Sequence, residues 1–216
     1  MSQPQPTRQM SDATVNGQKY HLIAFYFPDD KTGTAWDSYY NFTELGNFFV
    51  CPSKITLTIG GVTGVFHTTE AAFQATKWWK HDGIRKQFEN APNGPAALNV
   101  KKSAAQQFKA DENATHGYAG LGQRGAMNAI LKLKFSDAAF KQILLDTGDA
   151  YLLEHNIKTG RDSTWSDNND GTGENYLGKT LMDIRGDKTV VGGSGPPLAE
   201  GTYYVGDFTT QVKPAP

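Results

Sequence analysis

The chain lacks the residues and spacings that mark several common chemistries. Among its 216 residues Cys51 is the one cysteine, so no internal disulfide can form and no cysteine-rich metal site can be built. The histidines His21, His67, His81, His116 and His155 show neither HxH nor HExxH spacing, which argues against zinc catalysis. No GxSxG marks a nucleophilic serine. No GxGxxG follows a strand, and Gly171-Thr172-Gly173 is not followed by the GK[ST] of a phosphate loop. No apolar run approaches the roughly 18 residues of a membrane helix. The opening MSQPQPTRQMSD has no apolar signal core, so the simplest expectation is an intracellular, cytoplasmic protein. Charge is nearly balanced, with a formal net value of -1. That excludes a general binder of nucleic acid or anionic membrane, though not a site for one nucleotide-like unit.

What is present fits one soluble domain, with 38% hydrophobic and 12% aromatic residues. Residues 1–18 are polar with two prolines and read as a disordered arm. Residues 20–27 (YHLIAFYF) read as a buried strand. Residues 54–66 alternate Ile55, Leu57 and Ile59 around Gly60-Gly61, a hairpin signature. Helices are expected from about residue 69 to a stop at Gly83, then over 83–90, 95–110, 123–135 and 136–146, with YLLEHNI a short strand. In the third helix Ala97, Val100, Ala104 and Phe108 have core spacing. After Asp187 the chain turns to GGSGPP, and residues 188–216 read as a Gly/Pro-rich, loosely packed tail in which TYYV could pair as an edge strand. The fold class is therefore α+β: a single, mainly helical domain over 19–187 with a small β-hairpin or sheet.

The stretch HTTEAAFQATKWW, residues 67–79, carries the densest functional signal. At about 100° per residue, Glu70, Gln74 and Lys77 fall on one narrow stripe, and Ala71, Ala75, Trp78 and Trp79 on the opposite side. Thr68 or Thr69 supplies the N-cap. An acid, an amide and an amine in line can grip a polar ligand and move protons on it. The plainer reading is a polar face turned to water. A second lysine, Lys134, sits with Met127, Ile130 and Leu131 on one apolar face. It either snorkels its ammonium to the rim or lies buried as a nucleophilic amine that competes with Lys77.

Residues 158–178 are rich in Gly, Asn, Asp, Ser and Thr. The acidic spacing does not match an EF-hand, so no metal is expected. Two readings stand: a mobile loop folding over a ligand with Trp165 as a stacking surface and Asp162 as a positioned carboxylate, or a surface loop anchored by Trp165.

Taken in order, Phe25-Tyr26, Gly46-Asn47-Phe48, Thr68-Thr69-Glu70 through Gln74-Ala75-Thr76-Lys77, Met127 through Lys134-Phe135, Leu144-Leu145-Asp146-Thr147-Gly148, Leu153-Glu154, Asp162-Ser163-Thr164-Trp165 and Asn175-Tyr176-Leu177-Gly178 through Arg185 resemble the motif series of the YbiA/NADAR family. Ser166 stands where that family usually has Gly, Ala71 where it often has His, and residues 158–161 are an insertion. The resemblance implies a YbiA-like domain that cleaves an N-glycosidic bond at ribose C1 without a cofactor or a membrane. It implies removal of ADP-ribose from guanine bases, in a nucleoside or locally in DNA or RNA, through a lysine Schiff base. The alternatives are ribosylamino-pyrimidine intermediates of riboflavin synthesis as substrates and, more distantly, a non-catalytic ADP-ribose-binding module. On this reading Lys77 attacks C1, Glu70 is the acid/base, and Asp162 orients the ribose hydroxyls or steadies positive charge. Asn47, Gln74 and Asn175 supply hydrogen bonds, Phe48 and Trp165 stack, and Lys134 and Gly178 complete the ligand-binding set.

Overall fold

The computed structural model describes residues 7–26, 35–108, 117–187 and 208–214. In chain order the elements are β1 (Ser11–Val15), β2 (Gln18–Phe25), α1 (Ala35–Tyr40), β3 (Ile55–Ile59), β4 (Val62–Phe66), α2 (Thr69–Ala75), α3 (Asp82–Glu89), α4 (Gly94–Gln107), α5 (Gly122–Ser136), α6 (Ala138–Leu145), β5 (Tyr151–Glu154) and α7 (Tyr176–Gly186). The class is α+β and mainly helical, as expected. Among the described residues no helix is long and apolar enough to cross a membrane. The chain forms two compact units. One comprises Met1–Gly46 with Lys141–Pro216, and the other Asn47–Phe140.

In the first unit β1 and β2 form an antiparallel hairpin, and β2 pairs with β5 in parallel, Leu22 opposite Tyr151 and Phe25 opposite Glu154. The arm reading of residues 1–18 does not hold where the chain is described. Ser11, Ala13 and Val15 are buried and alternate with exposed Asp12 and Thr14. Asn16 and Gly17 turn the chain at φ 52° and 79°, the left-handed pair that a two-residue hairpin needs. Arg8 adds a bridge to Glu44 at 2.8 Å and lies over the Phe42 ring. At the other end Phe208 is buried between Tyr20 and Tyr151, so this part of the tail is packed. The TYYV segment lies outside the described residues.

Helix α7 lies directly on β5. A Cβ at Gly178 would overlap the Leu152 carbonyl oxygen and the Asn175 amide, and the Leu152 N–H points at Met182 Sδ, 3.5 Å away. The same helix ends on Arg185, which donates to Thr147 Oγ1 and the Ala150 carbonyl at 2.8 and 2.9 Å. Burial brings its pKa down to about 10, partly opposed by Asp149. Because helix and strand touch backbone to backbone, Gly178→Ala is expected to destabilise the protein by about 1–3 kcal/mol. Denaturant titration reads this directly, and an unchanged midpoint would mean that strand and helix part at no cost.

In the second unit the β3–β4 hairpin turns at Gly60 and Gly61, φ 58° and 78°. Helix α2 is its centre and touches α3, α4, α5 and both hairpin strands. All seven of its residues are buried. The helix is shorter than the periodicity suggests. It gives way to a 3-10 turn over Thr76–Trp78, and Gly83 falls inside α3 rather than capping α2. Trp78, stacked on Phe88 at 6.0 Å, pins that turn to the core. In α4 the N-cap is Asn93, whose Oδ1 accepts from the Ala96 N–H at 2.9 Å, and Ala97 and Ala104 are its buried positions.

Candidate active site

Thr68 is the N-cap of α2, its hydroxyl accepting from the Ala71 N–H at 3.0 Å. The first turn is also tied to the turn at Asn47 ahead of the hairpin, where the Glu70 N–H donates to the Asn47 carbonyl at 3.0 Å. These two anchors set the helix inside the unit rather than on its surface. The consequence decides between the two readings of the polar stripe. Glu70 and Gln74 are 7% and 5% exposed, so the stripe does not face bulk water. A buried carboxylate and amide need partners. Gln74 Nε2 donates to Glu70 Oε1 at 2.9 Å. Three buried acceptors close to this helix, Gln74 Oε1, Thr69 Oγ1 and Asn47 Oδ1, have no hydrogen-bond partner among the described residues. Buried acceptors in that state match a ligand that brings hydroxyl or amino donors.

Lys77 lies in the 3-10 turn and is half-buried. Its ammonium stands 5.9 Å from the Phe73 ring centre and 5.6 Å from that of Tyr118. The two rings are themselves stacked at 5.3 Å. The stripe residues thus share one unit, with the amine set against aromatic faces. Tyr118 was missed by sequence reasoning because it lies in a turn with φ 46° and belongs to no periodic pattern. Phe48 is half-buried, and its ring lies against Gly94, where a Cβ would collide with it.

Lys134 does not snorkel. It is 2% exposed, with the rings of Phe135, Phe140 and Phe49 at 5.3, 5.4 and 5.9 Å from Nζ. Three ring faces take the place of water around the ammonium. Its charge is felt at Cys51, whose thiol is pushed up by burial and only partly brought back by Lys134. A separate cavity of about 620 Å³ opens in this unit near Ile59, Val62, Trp79 and Arg85, and none of the site residues expected from sequence lines it.

The remaining candidates belong to the first unit. Asp162 is half-buried, and its Oδ1 accepts the N–H groups of Thr164 and Trp165 at 3.0 and 2.9 Å. Trp165 packs edge-on against Tyr176 at 5.6 Å. The loop holding them is closed by its own hydrogen bonds: Ser166 Oγ donates to the Asp162 carbonyl, and Asp167 Oδ1 accepts from the Asn156 and Asn169 N–H groups. Part of the acceptor-rich composition is spent on the loop's own backbone. Asn175 has a structural task. Buried and left-handed at φ 47°, it accepts from the Glu154 N–H at 2.9 Å and donates to the Leu152 carbonyl and the Tyr151 hydroxyl. Gly178 likewise serves the α7–β5 contact.

This unit also gathers groups that sequence reasoning left unassigned. Tyr26, Glu154 and Arg161 join Asp162 and Asp37. Burial raises the Tyr26 phenol well above its ordinary range. The Arg161 guanidinium, 5.4 Å over the ring, opposes the shift, while Glu154, Asp162 and Asp37 add to it. Tyr26 is therefore a hydrogen-bond donor and not a base. Its N–H donates to Asp37 Oδ1 at 2.6 Å. The signal for Tyr26 and Glu154 was there, since both stand in the motifs quoted above. Arg161 belongs to the insertion and carried none.

Residues 26–187 match the model of the NADAR domain. Over 166 residues, 76% of the chain, the sequence is 30% identical to a riboflavin biosynthesis protein of Vibrio vulnificus (strain YJ016), of whose length the match covers 37%. Over 165 residues it is 27% identical to the N-glycosidase YbiA of Escherichia coli (strain K12), covering 86% of that protein. The N-glycosidase YbiA of Shigella boydii serotype 4 (strain Sb227) gives the same identity and coverage.

Proposed function

The chain belongs to the NADAR domain family, and from that premise we propose that it is an N-glycosidase acting on a ribosyl nucleotide. The observation that carries this reading is the buried polar stripe of α2, where Glu70 and Gln74 sit out of water with unmatched acceptors around them. The relatives named N-glycosidase support the reaction class. Lys77 is the nucleophile. Its neutral amine attacks ribose C1, and the bond from C1 to the base nitrogen breaks. Glu70, entering protonated, gives its proton to the leaving nitrogen. The ring oxygen then takes the proton that Nζ sheds as the ribosyl-lysine opens to an iminium. Water adds at C1 and returns a proton to Glu70, the C1–Nζ bond breaks as the new hydroxyl gives its proton to Nζ, and free sugar leaves with the amine regenerated. Asn47, Thr69 and Gln74 accept hydrogen bonds from the ligand, and Phe73 and Tyr118 shield the amine from water.

The substrate is guanine carrying ADP-ribose, so that guanine leaves and ADP-ribose passes to the lysine, and the second substrate reading is a ribosylamino-pyrimidine phosphate, favoured by the name of the Vibrio relative. Incubation with ADP-ribosylated guanosine and with a ribosylamino-pyrimidine phosphate, each followed by mass spectrometry, separates the two. Release of ADP-ribose from the first supports the guanine reading. Release of ribose phosphate from the second alone replaces it, and cleavage of neither sinks the enzymatic proposal.

A further inference from the structure

The segment from Phe208 to Pro214 lies beyond the family match, which ends at residue 187, yet it is tied to the first unit along its length. Phe208 is 1% exposed, its ring stacked on Tyr151 at 4.4 Å and edge-on to Tyr20 at 5.5 Å. Gln211 grips the backbone of β1 as a neighbouring strand would: its Oε1 accepts from the Thr14 N–H at 2.5 Å, and its Nε2 donates to the Thr14 carbonyl at 2.8 Å. The Lys213 N–H donates to the Tyr40 hydroxyl at 2.9 Å, and that hydroxyl pairs with Ser11 Oγ at 2.7 Å. Between these anchors Thr209 Oγ1 donates to Asp167 Oδ2 at 3.0 Å.

Asp167 is the node that fixes the loop of residues 158–178. It is 3% exposed. Its N–H donates to the Glu154 carbonyl at 2.9 Å, and its own carbonyl accepts the N–H groups of Gly171 and Gly173. Oδ1 holds the Asn156 and Asn169 N–H groups at 3.2 and 2.9 Å. Oδ2 is shared between His155 Nδ1 and Thr209. A buried carboxylate depends on every donor it has, and one of these comes from outside the family's own segment.

We propose that Thr209 is a positioning residue: the C-terminal segment is a strap that holds Asp167, and through it the loop bearing Asp162 and Trp165, in one arrangement on which ligand affinity depends. The ligand part of this rests on the N-glycosidase reading. The strap part stands on the contacts alone. Thr209→Val keeps the shape and removes the hydroxyl, whereas Thr209→Ser keeps the hydroxyl. In the full-length protein, hydrogen exchange and steady-state kinetics are compared for the two variants and wild type. A hydrogen bond to a charged acceptor is worth about a tenfold effect. The expected result for Thr209→Val is amides over 158–178 that exchange about tenfold faster and KM raised about tenfold, alongside a small fall in Tm. Thr209→Ser should restore both. Wild-type loop exchange and KM in Thr209→Val would overturn the proposal, as would a lowered Tm with KM unmoved. If wild type cleaves neither substrate the catalytic reading has failed, and the exchange comparison alone decides whether the strap braces the loop.

Discussion

Lys77→Ala is expected to remove turnover, by on the order of 10⁴-fold or more, as loss of a nucleophile does when other groups act with it as a unit. Lys77→Arg should be equally inactive. A guanidinium keeps its charge at any working pH and cannot attack as a neutral nucleophile. Borohydride added during turnover should leave a mass adduct on the peptide that contains Lys77. The structure sharpens what the other outcomes would mean. An adduct on Lys134 would move the chemistry into the cage of Phe49, Phe135 and Phe140, where rings would have to part to admit a sugar. No adduct together with full activity of Lys77→Ala would end the Schiff-base mechanism. No adduct with an inactive Lys77→Ala would leave the ammonium as a cationic stabiliser beside an attacking water.

Glu70→Gln should lower kcat by about a hundred- to ten-thousand-fold while KM changes little, since the amide keeps the shape and loses the exchangeable proton. The substitution is well suited to the site. The new side-chain carbonyl can still accept from Gln74 Nε2, so the packing of α2 need not change. Wild-type turnover in this variant would assign Glu70 to binding and turn attention to the carboxylates of the first unit, Asp162 and Glu154. Steady-state kinetics on whichever substrate is cleaved distinguishes the two, and circular dichroism checks that α2 remains folded.

Much of the second unit was legible from sequence because its signals are local. Gly60-Gly61 in an alternating stretch specifies a hairpin, and Met127, Ile130, Leu131 and Lys134 specify one face of a helix. Periodicity cannot say, however, whether a polar face meets water or other protein. For α2 the polar face is out of bulk water, with Glu70 and Gln74 both buried. The same blindness left Lys134 open between the rim and the interior, and it lies in the interior. The structural task of Asn175 was hidden for a related reason. A motif records that a position matters, and a left-handed asparagine joining a helix to a strand matters as much as one touching a ligand. The β1 strand was overlooked although Asn16-Gly17 is a strong turn signal, because Ser11, Ala13 and Thr14 carry little hydrophobic weight. The docking of Phe208 depends on Tyr20 and Tyr151, far away in sequence, and no local pattern contains it.

The parallel pairing of β2 with β5 has a consequence for how the chain reaches this structure. Leu22, paired with Ser11 on one side, finds its other neighbour at Tyr151, and the second unit, residues 47–140, lies wholly between β2 and β5 in the chain. Closing so long a loop costs chain entropy before any contact repays it, and high sequence separation slows folding. The contiguous unit, with its local hairpin and neighbouring helices, can form during synthesis as soon as it emerges. The sheet must wait with β1 and β2 made but incomplete, β2 touched by α1 and its apolar residues Leu22, Ile23 and Phe25 only partly covered until β5 arrives. That interval is the period of greatest exposure to aggregation, and it ends only when the last third of the chain has been synthesised.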